Sequence, residues 1–283
     1  MNLILLFFIV FQIYFCIKLY KQKKYKLLTT YILFSVIIYL LILVYFNYCS
    51  KPNIYIYSAN TSDNNLDNDG PTVLVISGSH GNECGPSAGL DDIKEMFDYN
   101  KIKLKRGKLI LIPTLNKCGR QLNTRFQPQE LLKLNITKAD VNRNYGKIPN
   151  EEGHCTISKT VQKFIKDADY ILDFHEGWGF NKLNPESMGQ TFYPGTIHGS
   201  KDIANQLKNA VNKVINTNND YKYYDVVEGW AEIPGSLRQY ANINGIKYVL
   251  TEIAGQGQNQ TLEEKKDQTK AIFFEFLNQT GLI

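Results

Sequence analysis

The chain opens with two long uncharged apolar segments. Residues 1–17 are rich in Leu, Ile and Phe, and residues 27–50 form a second uncharged stretch. A helix needs about 20 apolar residues to cross a bilayer. The pattern predicts two transmembrane helices, at about 3–19 and 29–48, which together form a membrane anchor over residues 1–50. The first segment also resembles the hydrophobic region of a signal peptide, although it lacks a basic start and a small-residue cleavage site.

Beyond the anchor the pattern changes twice. Residues 51–70 are rich in Asn, Asp and Ser and predict a linker. From residue 71 to residue 283, apolar runs typical of strands alternate with stretches typical of helices. The predicted strands are 72–77, 108–113, 170–174 and 246–251, and the predicted helices are 88–99, 157–166, 201–215 and 262–277. This alternation predicts an α/β domain with a mixed, largely parallel central sheet and flanking helices.

Charge is distributed unevenly along the chain. The only charged residues before position 51 are five lysines, Lys18, Lys21, Lys23, Lys24 and Lys26. Because lysine-rich loops stay on the cytoplasmic side, we expect this loop in the cytoplasm and the domain on the non-cytoplasmic side of the membrane. The rest of the chain balances 27 basic against 27 acidic residues. A neutral domain without a basic face argues against nucleic acid as a partner.

The five cysteines do not form a recognisable framework. Cys16 and Cys49 lie in or beside the apolar segments, and Cys84, Cys118 and Cys155 are scattered without a CxxC pair. This spacing argues against a thiolate zinc site and against a dense disulfide scaffold. One bridge among the last three cysteines stays open.

The strongest chemical signal is His-Gly-Asn-Glu at residues 80–83, directly after the first predicted strand of the domain. In open α/β sheets, ligands bind at the carboxyl ends of strands. His175, in Asp-Phe-His-Glu, ends another predicted strand. Taken singly, these are explained as a surface pair and a buried histidine. Together, His80, Glu83 and His175 supply the three ligands of a catalytic zinc site, so we predict one bound Zn²⁺ ion.

Further polar residues suit the chemistry of a zinc hydrolase. Glu252 ends a fourth predicted strand, where a carboxylate is placed to take a proton from water and pass it to a leaving amine. Asn142 and Arg143 offer an amide and a planar guanidinium for a substrate carboxylate. Arg120 and Arg125 lie upstream, and either is suited to stabilise a developing oxyanion.

Four motifs in order, HGNE, DVNRNYG, DFHE and a strand ending in TE, together resemble the zinc metallocarboxypeptidase superfamily. The compact interval between HGNE and DFHE is most similar to the succinylglutamate desuccinylase/aspartoacylase branch. The resemblance runs from about Val73 to the C-terminus. It implies a one-zinc amide hydrolase that removes a residue or acyl group next to a free carboxylate. It also implies roles for individual residues: His80, Glu83 and His175 as ligands, Asn142 and Arg143 as the carboxylate clamp, and Glu252 as the base.

Two parts of the site depend on which branch is followed. The spacing of Arg125 before the NR pair resembles the carboxypeptidases, whereas the shorter spacing of the aspartoacylases falls near Asn135. The candidates for the tyrosine that carboxypeptidases place over the substrate are Tyr240 and Tyr224.

A specificity pocket is also implied by the carboxypeptidase resemblance around Gly235 and Ser236. In those enzymes this stretch lines the pocket for the terminal side chain, so either Leu237 or Arg238 is expected to point inward. An inward Arg238 would favour acidic substrates through a charge-assisted pair.

These residues favour a membrane-held hydrolase acting on a peptide or an N-acyl amino acid. Peptidase and deacylase activities remain equally open. The alternative is a membrane-tethered zinc-containing binding protein without turnover, which has no need of a base at Glu252. A transporter is disfavoured because only two spans are predicted.

Overall fold

The computed structural model describes residues 3–59, 70–132, 134–215, 217–229 and 231–283. Helix α1 spans Leu3–Lys21 and α2 spans Tyr25–Cys49. The two helices pack together at Phe15 and Tyr31, whose ring centroids lie 4.8 Å apart. Among the described residues, one helix, α2, is long and apolar enough to cross a membrane.

The domain that follows is built on a seven-stranded sheet in the order β1-β3-β2-β4-β7-β5-β6. Its strands are β1 Tyr55–Ser58, β2 Thr72–Ser77, β3 Lys108–Ile112, β4 Tyr170–Gly177, β5 Thr191–Pro194, β6 Asp225–Val226 and β7 Lys247–Ala254. Strands β3, β2, β4 and β7 are parallel neighbours, whereas β1 and β5 run antiparallel to the strands beside them. The sheet is therefore mixed, and its parallel centre brings four carboxyl ends to one edge.

Helices cover both faces of this sheet. They are α3 Cys84–Asp98, α4 Lys117–Gln121, α5 Pro128–Leu132, α6 Thr156–Lys166, α7 Ser200–Val214, α8 Leu237–Ile243 and α9 Leu262–Gln279. Side chains alternate across the strands, so Val73 and Val75 enter the core under α3, α7 and α9. Leu74 and Ile76 enter the other core, under α6 and α8. The predicted α/β class with a central sheet and flanking helices is confirmed.

The predicted linker is wrong for part of its length. Residues 55–58 form β1, which pairs with β3 from Tyr55 opposite Leu111 to Ser58 opposite Lys108. The polar composition of residues 51–70 masked this short strand, in which exposed and half-buried side chains alternate at the sheet edge. Residues 60–69 of the predicted linker lie outside the described residues.

A disulfide joins Cys49, the last residue of α2, to Cys118 in α4. The bridge left open among Cys84, Cys118 and Cys155 is therefore not formed, because Cys118 pairs with Cys49. Sequence spacing did not reveal the pair because its members are 69 residues apart and come together only when α2 meets the domain. Cys16, Cys84 and Cys155 are free thiols.

Candidate metal centre and active site

The predicted ligands meet at the carboxyl edge of the sheet because neighbouring parallel strands deliver them there. His80 and Glu83 follow β2, and His175 lies near the end of β4. The turn after β2 requires Gly78, whose φ of +66° is left-handed and whose added Cβ would meet Ser87 and Thr114. The loop is therefore folded back tightly, which points His80 towards the edge between β2 and β4.

The ligand atoms of His80, Glu83 and His175 lie within 4.8 Å of one another, and all three residues are buried. His80 Nδ1 is 2.6 Å from Glu83 Oε1, and His175 Nδ1 is 2.9 Å from Glu83 Oε2. Two imidazole nitrogens and one carboxylate converging on one point form the donor set of a catalytic zinc site with an open position. The residues present therefore fit the predicted ion.

The carboxylate of Glu83 and the imidazoles of His80 and His175 stabilise one another's charged forms. Burial alone would raise the pKa of Glu83, but the charges of His80 and His175 lower it overall. Burial alone would lower the pKa values of both histidines, whereas nearby carboxylates raise them overall. A buried carboxylate therefore holds two imidazoles whose protons a bound metal ion would displace.

The outer nitrogen of each histidine faces a further carboxylate. His80 Nε2 lies 3.2 Å from Asp140 Oδ1, and His175 Nε2 lies 3.3 Å from Asp173 Oδ2. Asp173 in turn accepts a hydrogen bond of 2.7 Å from the hydroxyl of Tyr248. Such contacts fix which imidazole nitrogen faces a metal ion and increase its basicity. Sequence analysis assigned no role to Asp140, although it heads the DVNRNYG motif.

Glu252 is buried beside the cluster. It lies in β7 directly opposite His175 of β4 in the parallel register. Burial raises the pKa of Glu252 to about 7, because the charged form loses its hydration. A carboxylate tuned to neutral pH next to a metal site is suited to accept and return a proton.

Asn142 and Arg143 lie in the short 3-10 helix Val141–Arg143. The amide nitrogen of Asn142 lies 3.4 Å from His175 Nε2, and its oxygen accepts from the backbone nitrogen of Leu237 at 2.9 Å. Gly235 packs against the backbone of Arg143 so closely that a Cβ would collide with it. Asn142 is thus fixed at the cluster, with Arg143 next to it in the chain.

The two upstream arginines are placed differently. Arg125 donates to Asp140 at 3.1 Å, and its guanidinium lies 3.8 Å from Glu83, so it reaches the cluster. Arg120 pairs with Asp91 at 2.9 Å and donates to Thr114. Among the described residues, the Arg120 side chain bonds Asp91 and Thr114 and none of the three candidate ligands, so no contact supports its predicted substrate role.

Leu237 and Arg238, the two candidates for the specificity pocket, have different surroundings. Leu237 is fully buried in the core under α6 and α8. Arg238 donates from Nε to the backbone oxygen of Pro194 at 3.1 Å and lines a cavity of about 530 Å³. The two tyrosine candidates, Tyr240 and Tyr224, are buried in opposite cores, where Tyr240 accepts a hydrogen bond from Gln162 and Tyr224 donates one to Gln268.

The family comparison matches the first part of the domain. Residues 69–183 match the succinylglutamate desuccinylase/aspartoacylase catalytic domain. This region contains His80, Glu83 and His175. The resemblance to the zinc metallocarboxypeptidase superfamily, and within it to this branch, is confirmed.

Solved structures share the fold. The tripeptide-bound cell shape determinant Csd4 of Helicobacter pylori aligns with a TM-score of 0.65 and 16% identity, over 82% of this chain and 56% of Csd4. A candidate metallopeptidase from Shewanella amazonensis gives 0.56 and 18%, over 81% and 83% of the two chains. The ectoine utilization protein EutE (DoeB) from Ruegeria pomeroyi gives 0.52 and 17%, over 76% and 58%. The chain thus spans just over half the length of Csd4 and of EutE.

One curated protein matches by sequence over a short stretch. It is elongation factor P of Methylorubrum extorquens, 26% identical over 84 residues. The match covers 30% of this chain and 44% of the relative. A match to less than half of that relative assigns no activity to this chain.

Proposed function

We propose that the chain is a zinc-dependent hydrolase that cleaves an amide bond next to a free carboxylate. The observation that carries this proposal is the convergence of His80, Glu83 and His175 beside the buried carboxylate of Glu252. A binding protein would need the three ligands alone. A buried carboxylate placed opposite His175, where it can take a proton from water, favours turnover.

The side chains divide the reaction between them. A zinc ion held by the three ligands would polarise the scissile carbonyl and acidify the attacking water. Glu252 accepts a proton from that water as its oxygen bonds to the carbonyl carbon, and then donates it to the departing amine nitrogen. Arg125 stabilises the negative charge that develops on the carbonyl oxygen. Asn142 and Arg143 hold the free carboxylate of the substrate.

The substrate class follows from the clamp and is supported by the relatives. Csd4 is a D,L-carboxypeptidase, and it has been solved with mDAP bound and with a tripeptide bound. EutE was solved with its product. We therefore propose a peptide with a free C-terminus, or an N-acyl amino acid, as the substrate of this chain.

The proposed location is a membrane, with the domain on the non-cytoplasmic side. Helix α2 supports the anchor, and the lysine cluster between the two apolar segments supports the orientation. The disulfide between Cys49 and Cys118 adds independent support, because such bonds persist mainly in oxidising compartments. Both predicted helices are proposed to span.

A zinc determination on the purified full-length chain, followed by a substrate panel, tests the function. We expect about one zinc per chain, as a single three-ligand site requires. C-terminal peptides and N-acyl amino acids should be hydrolysed, and their methyl esters and amides should not, because these lack the carboxylate. Zinc binding without hydrolysis of any panel member would favour the binding-protein alternative.

The orientation has its own test. Protease added to sealed cells should cleave within residues 51–283, whereas protease enclosed on the cytoplasmic side should not. Cleavage from the cytoplasmic side alone would reverse the proposed topology.

A further inference from the structure

An unusual concentration of exposed apolar side chains follows α4. Within residues 122–136, six large apolar residues are between 37% and 70% exposed. They are Leu122, Phe126, Leu131, Leu132, Leu134 and Ile136. We call residues 122–132 and 134–136 the apolar segment. Scattered exposed apolar side chains are normal on a protein surface, but six in fifteen residues mark an interaction surface.

The apolar segment is folded rather than extended. Helix α5 lies within it, and the backbone nitrogens of Leu134 and Asn135 donate to the oxygens of Leu131 and Glu130. The backbone nitrogen of Gln127 donates to Ala139 at 2.8 Å, which ties the segment to the domain. Its apolar side chains are therefore displayed by an ordered backbone.

The membrane-side helix joins the domain beside this segment. Cys49 of α2 is bonded to Cys118, and Leu122 immediately follows the last residue of α4. Tyr45 of α2 donates to Gln121. Lys117 lies 4.9 Å over the ring of Tyr48. Tyr45 and Tyr48 near the end of α2, with Lys117 of α4 beside them, are residue types typical of the bilayer interface. The apolar segment therefore begins where α2 is proposed to leave the membrane.

The same segment reaches the metal centre. It contains Arg125, whose guanidinium lies 3.8 Å from the ligand Glu83. The backbone nitrogen of Gly81 in the metal loop donates to the oxygen of Arg125 at 3.4 Å. A Cβ at Gly81 would collide with the backbone of Gly119 in α4. The helix junction, the apolar segment and the metal loop therefore form one packed unit.

From this continuity we propose that the apolar segment lies in the outer face of the lipid bilayer and holds the metal centre at the membrane surface. Apolar side chains at a headgroup boundary gain the free energy of leaving water. The occupant is the bilayer that already surrounds α2, since the surface is continuous with that helix. The inference rests on the proposed function and membrane anchor, and it predicts a preference for amides whose own apolar chain lies in the same membrane.

The depth of the apolar segment is tested with the full-length chain in vesicles of phosphatidylcholine with brominated acyl chains, which quench nearby tryptophan. Ile136→Trp adds a tryptophan to the segment. Tyr99→Trp is the matched control, because Tyr99 is 72% exposed and follows Asp98, which bonds Tyr57 near the amino end of β3, away from the carboxyl edge. We expect loss of the added emission for Ile136→Trp and none for Tyr99→Trp. Equal quenching of the two, or of neither, would overturn the proposal.

The consequence for substrates is tested by comparing a long-chain N-acyl glutamate in the vesicles with N-acetyl glutamate in solution. The same comparison is made between a lipid-linked and a free peptide, which separates the two sources of membrane-borne amide. Replacing Leu132 and Ile136 with Glu should lower kcat/KM for the membrane-borne substrate by about tenfold, equivalent to about 1.4 kcal/mol. Turnover of the soluble substrate should be unchanged, and Tyr99→Glu should change neither.

The outcomes separate the two levels of the proposal. If soluble amides are hydrolysed and the Glu substitutions affect both substrates equally, the membrane-facing role fails while the hydrolase stands. If no amide is hydrolysed although quenching occurs, the proposed function fails while the bilayer contact stands. A dimer that the same substitutions dissociate, together with an absence of quenching, would assign the surface to a second copy instead.

Discussion

The carboxyl edge of the sheet and helix α2 depart from the usual distribution of residues in opposite ways. At the sheet edge, Glu83, Asp173 and Glu252 are buried carboxylates. Along α2 most side chains are apolar and exposed. Soluble proteins bury apolar groups and leave charge in water, so both regions need a partner other than water. For the sheet edge the proposed partner is a cation, and for the helix the proposed partner is a lipid bilayer.

The difference also shows how each partner is encoded. Binding at the proposed metal centre depends on individual atoms, because a change of the His80 rotamer would take its ligand nitrogen away from the site. The helix depends on average composition, and many apolar substitutions in α2 would serve equally well. Point substitutions are therefore expected to have large effects at the centre and small effects along the helix.

The largest effect is expected from removing a ligand. In His80→Ala or His175→Ala the two remaining protein ligands are too few to hold zinc against water, so bound zinc and hydrolysis should both be lost. Metal content by mass spectrometry measures the first and substrate turnover the second. His154→Ala is the matched control, because His154 pairs with Glu151 at the surface, outside the ligand cluster. Stoichiometric zinc in either ligand variant would disprove the site.

A smaller but still large effect is expected at the base. Glu252→Gln keeps nearly the same shape but cannot accept a proton, so kcat should fall by roughly 10²–10⁴-fold while zinc is retained. Glu263→Gln, on the exposed first turn of α9, is the control. Unchanged kcat in Glu252→Gln would require another group to act as the base.

Much of the centre was predictable because it depends on strand ends. The apolar runs before His80, His175 and Glu252 predicted strands, and parallel strands deliver their carboxyl ends to one edge. The chemistry of the Asn142 and Arg143 side chains suggested a carboxylate clamp, and the family resemblance then implied the same role. Sequence analysis missed the contact between Asp140 and His80. This contact depends on how the loop that carries Asp140 folds back onto the site, and the spacing of residues along the chain does not predict it.

The same limit explains the other errors. Short edge strands such as β1 and β6 have too few buried side chains to show the alternating hydrophobic pattern that predicts a strand. Their pairing is set by the tertiary structure. The Cys49–Cys118 bridge depends on where α2 meets α4. Tyr224 and Tyr240 flank the sheet on opposite sides, which is decided by packing and not by distance along the chain.

An intermediate effect is expected at the positioning carboxylate. In Asp140→Asn the amide can no longer hold His80 Nε2 through a charge, so zinc affinity should fall by roughly 10–100-fold. Competition with a chelator measures this change. Asp140 also binds Arg125, so kcat at saturating zinc should be measured separately. Equal zinc affinity in Asp140→Asn and the unmodified chain would leave His80 oriented by Glu83 alone.

The smallest effect is expected at Arg238, which tests how far the charged centre extends. Arg238 donates a hydrogen bond to the backbone oxygen of Pro194, and Pro194 pairs with Val249 of β7. Val249 precedes Glu252 by three residues, which is about 10 Å along a strand. A terminal side chain pointing down the strand from the scissile bond would approach this guanidinium. Because a partly exposed ion pair contributes little, Arg238→Ala should lower the preference for substrates ending in Glu or Asp over Leu by about fivefold or less, with zinc unchanged. Arg106→Ala is the control, since Arg106 donates to the backbone of Gly281 on a different surface. If the unmodified chain already hydrolyses acidic and aliphatic substrates equally, Arg238 lies outside the pocket and the charged region ends at the clamp of Asn142 and Arg143.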